Sequence, residues 1–114
     1  MWINGLALDT KNDFLYWCDA YRNVIERIRW NGADREVLVQ GVDKLSHPYG
    51  LAFLDNYIFF SEFKRGAVKR VNVDTPDHVQ EIYQYPTTIF ELAVFKTDPP
   101  KTDLQHFEYQ GPHG

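Results

Sequence analysis

The same pattern is written twice along this chain. Gly5-Leu6-Ala7 returns as Gly50-Leu51-Ala52, displaced by 45 residues. Tyr16-Trp17-Cys18-Asp19 returns as Phe59-Phe60-Ser61-Glu62, and Ile25-Glu26-Arg27-Ile28 as Val68-Lys69-Arg70-Val71, each displaced by 43 residues. The two-residue loss falls in the first hairpin, where Thr10–Asp13 shrinks to Asp55-Asn56. Repetition at this spacing, built from short β-rich runs, describes stacked units that cannot bury their faces alone.

The strands follow from β-branched and aromatic runs bounded by turn residues. In the first unit they are Gly5–Asp9, Phe14–Cys18, Val24–Trp30 and Arg35–Val39. The second unit gives Gly50–Leu54, Tyr57–Ser61, Ala67–Val73 and Val79–Tyr83. Asn31-Gly32 predicts a two-residue hairpin with φ > 0 at both positions. Asn12-Asp13 and Asp55-Asn56 punctuate the first hairpins, and Gly66 the second hairpin of the later unit. No stretch keeps apolar residues at i, i+3, i+4 and i+7, so little helix is expected. Four antiparallel strands per unit is the make-up of a β-propeller blade, and the fold class is all-β. A ninth apolar run, 89–95, reads as a closing strand. The tail from Lys96 holds three prolines and two glycines without strand periodicity, and is expected to be poorly ordered. The expected organisation is a blade over 2–41, a second, degenerate blade over 42–85, a closing strand over 86–95 and a tail over 96–114.

Charge and apolar runs exclude several functions. With a net charge of −4, the chain lacks the concentrated basic surface that phosphate binding needs, so no nucleic-acid partner is expected. The cluster Lys64-Arg65 with Lys69-Arg70 reads as a solvated strand face. The longest apolar run, Phe14–Cys18, is far shorter than the ~20 residues that span a bilayer, so no direct membrane insertion is expected. No signal-peptide pattern precedes the first strand. Cys18 is the lone cysteine, so no disulfide forms within the chain, and its apolar run predicts a buried thiol. His47, His78, His106 and His113 lie in turn or tail sequence, away from any nucleophile they could activate.

Leu15-Tyr16-Trp17-Cys18-Asp19 resembles the YWTD motif of the low-density-lipoprotein-receptor family propellers, with Cys18 in the threonine position. Asn4-Gly5-Leu6-Ala7-Leu8-Asp9 before it complete that resemblance, together with Ile25-Glu26-Arg27-Ile28 and Asn31-Gly32-x-Asp34-Arg35 after it. Ser46-His47-Pro48-Tyr49-Gly50-Leu51-Ala52, followed by Phe59-Phe60-Ser61-Glu62, resembles a later, degenerate blade. The resemblance covers about residues 2–95 and implies the fifth and sixth blades of a six-bladed ring plus its closing strand. It is strongest to the low-density-lipoprotein-receptor-related proteins. The cysteine-rich EGF-like module that follows the closing strand in that family has no counterpart after Phe95, so the sequence resembles a truncated piece of such a receptor.

The resemblance implies a non-enzymatic role beside ligand-binding repeats, supporting uptake and acid-dependent release on the extracellular side of the plasma membrane or in endosomes. Its implied partners are protein ligands, neighbouring blades, the EGF-like module and a secretory-pathway chaperone. Tyr16, Trp17, Phe59 and Phe60 are expected to be structural, each buried side chain worth about 1.5–3 kcal/mol. In the family the aspartate matching Asp19 ties neighbouring blades, and Glu62 in its place predicts a longer or lost tie. Histidines on such propellers, one of them in the matching His-Pro turn, are implicated in acid release. His47 is therefore a candidate pH-sensitive interface residue, because imidazole titrates near pH 6.5. The competing expectation is that it shapes the Ser46-His47-Pro48 turn.

Two other classes are weighed against this. Calcium-dependent lactonase-type propellers also begin a strand with Asn-Gly-Leu, which would make Asn4 a ligand. Calcium takes six to eight oxygens, and the second unit offers Tyr49 at that position, so the ligand series stops at one. No catalytic residue, metal or cofactor is expected. A stand-alone module that pairs with other blades is the remaining alternative, since two blades leave open edges and faces.

Overall fold

A computed structural model describes residues 1–63 and 66–84. Eight strands run in chain order: β1 (Ile3–Asp9), β2 (Phe14–Asp19), β3 (Val24–Arg29), β4 (Glu36–Gln40), β5 (Pro48–Leu54), β6 (Tyr57–Glu62), β7 (Ala67–Asn72) and β8 (Val79–Gln84). They form two four-stranded antiparallel sheets, ordered β1-β2-β3-β4 and β5-β6-β7-β8. Each sheet is a blade, and the two stack face to face. The segment 86–95, expected as a closing strand, and the tail 96–114 lie outside the described residues.

The shortened hairpin has a clear cause. Leu54 pairs with Tyr57, leaving Asp55 and Asn56 as a two-residue turn with φ of 51° and 70°. Both angles are left-handed, which Asp and Asn tolerate and which suits the twist of a tight hairpin. In the first blade Asp9 pairs with Phe14, so four residues form the loop and only Asp13 is left-handed. There the Asp9 carboxylate replaces turn geometry, accepting from the backbone N–H groups of Lys11 (3.1 Å) and Asn12 (3.2 Å).

Asn31-Gly32 behaves differently from expectation. Gly32 and Asp34 take positive φ while Asn31 does not. The Asn31 side chain accepts the Ala33 N–H at 2.9 Å, and the Arg29 N–H reaches the Ala33 carbonyl at 2.9 Å. The turn is therefore wider than two residues, because the side chain's own hydrogen bond competes with the tight form.

Each blade presents two faces, set by the period-two alternation of its strands. Cross-strand pairing puts Ala7, Phe14, Tyr16, Cys18 and Ile25 on the front of blade 1. The same alternation puts Leu51, Phe53, Ile58, Phe60 and Val71 on the back of blade 2. These two faces meet and make the core, where Tyr16, Cys18, Ile25, Ile58, Phe60 and Val71 are fully buried. Tyr16 stacks on Phe53 with ring centroids 5.3 Å apart. Gly5 lets β1 approach β5: an added Cβ would lie 2.7 Å from the Tyr49 carbonyl oxygen. Backbone stands in the way there, so no larger residue fits without separating the blades.

Candidate protein-interaction surface

Asp19 ends β2 at one rim of the stack and is fully buried. Its Oδ1 accepts three backbone N–H groups, from Trp2 (3.0 Å), Tyr21 (3.0 Å) and Arg22 (3.3 Å). Burial alone would raise its pKa, but those donors outweigh it and hold the carboxyl below its ordinary range. The knot fastens the lead-in to β1 onto the β2–β3 turn. It also fixes two large exposed aromatics, Trp2 and Tyr21, whose exposures are 61% and 76%.

Glu62 holds the matching position in blade 2. Its Oε2 accepts the Ser46 N–H at 2.8 Å, so the longer side chain makes the equivalent bond to the lead-in of its own blade rather than the tie between blades expected at this position. The same oxygen pairs with Lys69 at 2.9 Å, and Lys69 also donates to the Lys44 carbonyl at 3.1 Å. In blade 1 the residue matching Lys69 is Glu26, which pairs instead with Arg22 (3.1 Å) and Arg35 (3.0 Å).

The polar ties between blades fall on other residues. Asn23 Oδ1 accepts the His47 N–H at 2.8 Å, Asn4 Nδ2 donates to the Pro48 carbonyl at 3.3 Å, and Cys18 Sγ lies 3.6 Å from the Tyr49 carbonyl. Burial pushes the Cys18 thiol up to about 11, so it stays a thiol. Burial likewise raises the Tyr16 hydroxyl, despite the Arg27 guanidinium that donates to it at 3.4 Å.

His47 sits in this seam with φ of 49°, a left-handed conformation that histidine visits more readily than branched residues do. Besides its bond to Asn23, it accepts the Phe63 N–H on its carbonyl (3.0 Å), and its Nδ1 lies 3.3 Å from the Ser46 hydroxyl. Its backbone thus locks the turn between blades. Sequence reasoning singled out His47 but missed Asn23, whose only signal is a short polar side chain ending a tight turn.

The motif aromatics divide by face. Tyr16 and Phe60 fill the seam, whereas Trp17 lies on the back of blade 1 beneath Arg35, whose guanidinium is 5.4 Å from the ring centre. Phe59 lies half-buried on the front of blade 2 beside Tyr57. At the opposite rim the Arg27 and Arg29 guanidiniums lie 4.2 and 4.3 Å from the centre of the Phe14 ring. They border a cleft of about 350 Å³ that Asp9, Asn56 and Asp74 also line. Among the described residues no group of three or more His, Cys, Asp or Glu side chains is placed to hold a metal.

These features define a class: two antiparallel four-stranded blades whose second strands, β2 and β6, are YWTD-like, stacked as in a β-propeller. The described residues form part of a YWTD-type propeller, the fold of low-density-lipoprotein-receptor-related proteins. The mouse sortilin-related receptor is 31% identical over 94 residues, which is 82% of this chain and 4% of the receptor. The human sortilin-related receptor is 29% identical over the same length. A chain of the crystallised nidogen/laminin complex matches with a TM-score of 0.65 at 22% identity, covering 74% of this chain and 32% of that one. The chain therefore spans a small fraction of the receptors it matches and about a third of that structural neighbour. No protein-family model matches it.

Proposed function

We propose that this chain serves as a non-enzymatic platform within an endocytic lipoprotein-receptor-related protein. In that role it supports protein-ligand binding and uptake on the extracellular side of the plasma membrane, and acid-dependent release in endosomes. The observation that carries the reading is the rim around Asp19. A buried carboxylate with three backbone donors holds Trp2 and Tyr21 outward on a rigid turn, and Trp and Tyr are the side chains that most often dominate protein interfaces. The similarity to sortilin-related receptors supports the receptor setting, and the nidogen/laminin neighbour is itself part of a protein–protein complex. Neighbouring blades, an EGF-like module and a secretory-pathway chaperone remain the partners implied for the parent.

For acid release the proposal rests on His47. Protonation gives both ring nitrogens a proton, so Nδ1 can no longer accept from the Ser46 hydroxyl beside it. The Ser46 N–H also connects this turn to the buried pair of Glu62 and Lys69. A positive ring therefore bears on the seam that positions the rim.

The test uses an intact propeller containing these blades, with ligand capture measured at about pH 7 and about pH 5.5. Trp2→Ala and Tyr21→Ala are each expected to weaken capture by about tenfold or more while leaving the thermal melt unchanged. His47→Asn, which keeps the left-handed backbone, is expected to flatten the pH response. Unchanged capture in both aromatic variants sinks the platform reading at this rim, and an unchanged pH response removes His47 from the release step.

A further inference from the structure

Two asparagines in this chain precede a glycine, Asn4-Gly5 and Asn31-Gly32, and the fold treats them oppositely. Gly5 lies within β1, paired with Cys18, where an added Cβ would meet the Tyr49 carbonyl oxygen at 2.7 Å. The Asn4 amide is held there too, donating to the Pro48 carbonyl at 3.3 Å. Asn31 and Gly32 are exposed in the turn between β3 and β4, and an added Cβ at Gly32 would meet nothing within 4 Å.

An asparagine side chain reacts with the backbone nitrogen that follows it when nothing obstructs that nitrogen, and this makes asparagine a thermolabile residue. Glycine, having no Cβ, obstructs least. After Asn12, Asn23, Asn56 and Asn72 the next residue carries a side chain. The Gly32 N–H donates to the Arg29 carbonyl at 2.8 Å, so reaction waits on opening of a turn bond and not on separation of strands. Exposed turns open at far lower cost than paired strands.

We infer that Asn31-Gly32 is a site of self-modification in the folded protein, converted by water to aspartate and isoaspartate at position 31. The Gly32 nitrogen gives its proton to solvent base and bonds to Asn31 Cγ, while the Cγ–Nδ2 bond breaks and the amide nitrogen leaves as ammonia. Water then opens the cyclic imide. Entry at Cγ breaks the new bond and yields aspartate. Entry at the Asn31 main-chain carbonyl breaks the original peptide bond and yields isoaspartate, whose main chain is longer by the former side-chain methylene.

That lengthening falls where Arg29 is anchored. The Asn31 side chain no longer accepts the Ala33 N–H, and the altered link lies between the ends of two 2.9 Å contacts, Arg29 N–H to the Ala33 carbonyl and the Arg29–Asp34 ion pair. Arg29 also donates to the Asn12 carbonyl at 3.2 Å, so conversion slackens the hold of this turn on the β1–β2 loop. Because the attacking nitrogen must lose its proton, conversion quickens as the pH rises.

The test ages the full chain in native buffer and in urea, at neutral and mildly alkaline pH. Peptide mapping and enzymatic methylation of isoaspartate locate the product. In native buffer Asn31 is expected to convert about tenfold or more faster than Asn4, and in urea both convert. Aged wild type should melt lower in proportion to its isoaspartate content. Aged Asn31→Ser, which keeps a short acceptor but has no amide to lose, should keep its melt. Fresh Asn31→Asp adds the charge without the longer main chain and should melt like the fresh parent. Conversion of Asn31 no faster than that of Asn4 in native buffer overturns the site. A fully converted chain with an unchanged melt overturns the slackening of Arg29, as does an Asn31→Asp chain that melts as low as the aged parent.

Discussion

Blade 1 and blade 2 solve one structural problem with different chemistry. In each, a strand lead-in leaves a backbone N–H that needs an acceptor at the end of the second strand. Blade 1 supplies Asp19, short enough to collect three backbone donors, with the Arg22 guanidinium farther off at 3.9 Å from Oδ2. Blade 2 supplies Glu62, whose extra methylene reaches the Ser46 N–H and leaves the same oxygen facing Lys69. The backbone demand is common to both blades, while the means of satisfying it is free to vary. A buried charge can be held by oriented amides or by a counter-ion, and the two respond differently to mutation, salt and acid.

The largest expected effect separates the two blades at the position shared by Lys69 and Glu26. Lys69 and Glu62 form a pair whose side chains are 9% and 1% exposed. Lys69→Met keeps the stem but removes the buried ammonium that Glu62 faces, which should destabilise the chain by about 3 kcal/mol. Glu26→Gln disrupts pairs whose arginines are 42% and 52% exposed, and should cost about 1 kcal/mol or less. Urea melts of both variants at low and high salt check this. Added salt should shrink the Glu26 effect and spare the Lys69 effect. Equal losses in the two would mean that burial does not distinguish the blades.

Asp19 comes next. Asp19→Ala strands three backbone donors beside a buried site, a loss of about 2–4 kcal/mol at neutral pH. Because the folded carboxyl is held below its ordinary 3.8, its contribution is complete above that value and is lost as the pH falls through the depressed value. The gap between wild type and variant should therefore narrow steadily below about pH 4. Acid titration of stability, followed by circular dichroism, reads this directly. A gap that stays constant down to strong acid would mean the carboxylate's charge is not what the amides hold.

All eight strands were legible because aromatic and β-branched runs alternate cleanly with turn residues, and the doubled pattern fixed which strands share a blade. The two-residue shortening was legible for the same reason, since Asp55-Asn56 can only span a hairpin that Thr10–Asp13 spans loosely. Asn31-Gly32 misled because a dipeptide signal omits the side chain's competing bond to Ala33. The seam's polar ties were not legible at all. Asn23, His47, Asn4 and Cys18 meet across gaps of 24 to 44 residues, and each tie ends on a backbone atom, which carries no residue-specific signature. Tyr16 and Phe60 were readable as core. That Trp17 is buried beneath Arg35 while its counterpart Phe60 is buried in the seam follows from which faces of the two blades meet.

The smallest effect concerns Cys18 and its counterpart Ser61, which use equivalent positions differently. Ser61 Oγ accepts the Gly50 N–H at 2.9 Å within its own blade, whereas Cys18 Sγ faces the Tyr49 carbonyl of the neighbouring blade at 3.6 Å. A thiol is a weak donor, so this tie contributes little, and burial does the rest by keeping the proton on sulfur. Cys18→Thr supplies a stronger donor of similar size and should change neutral-pH stability by less than about 1 kcal/mol. The two chains should diverge in alkali. With its folded value raised from 9.0 to about 11, the thiol's contribution is complete below 9.0 and is lost as the pH rises toward 11, a loss the threonine chain does not share. Alkylation gives a second reading of the same burial: the folded chain should react with iodoacetamide far more slowly than the urea-unfolded chain, because reaction needs an exposed thiolate. Rapid labelling of the folded chain at neutral pH would mean the blades part often enough to expose Cys18, and the seam would then be a hinge rather than a lock.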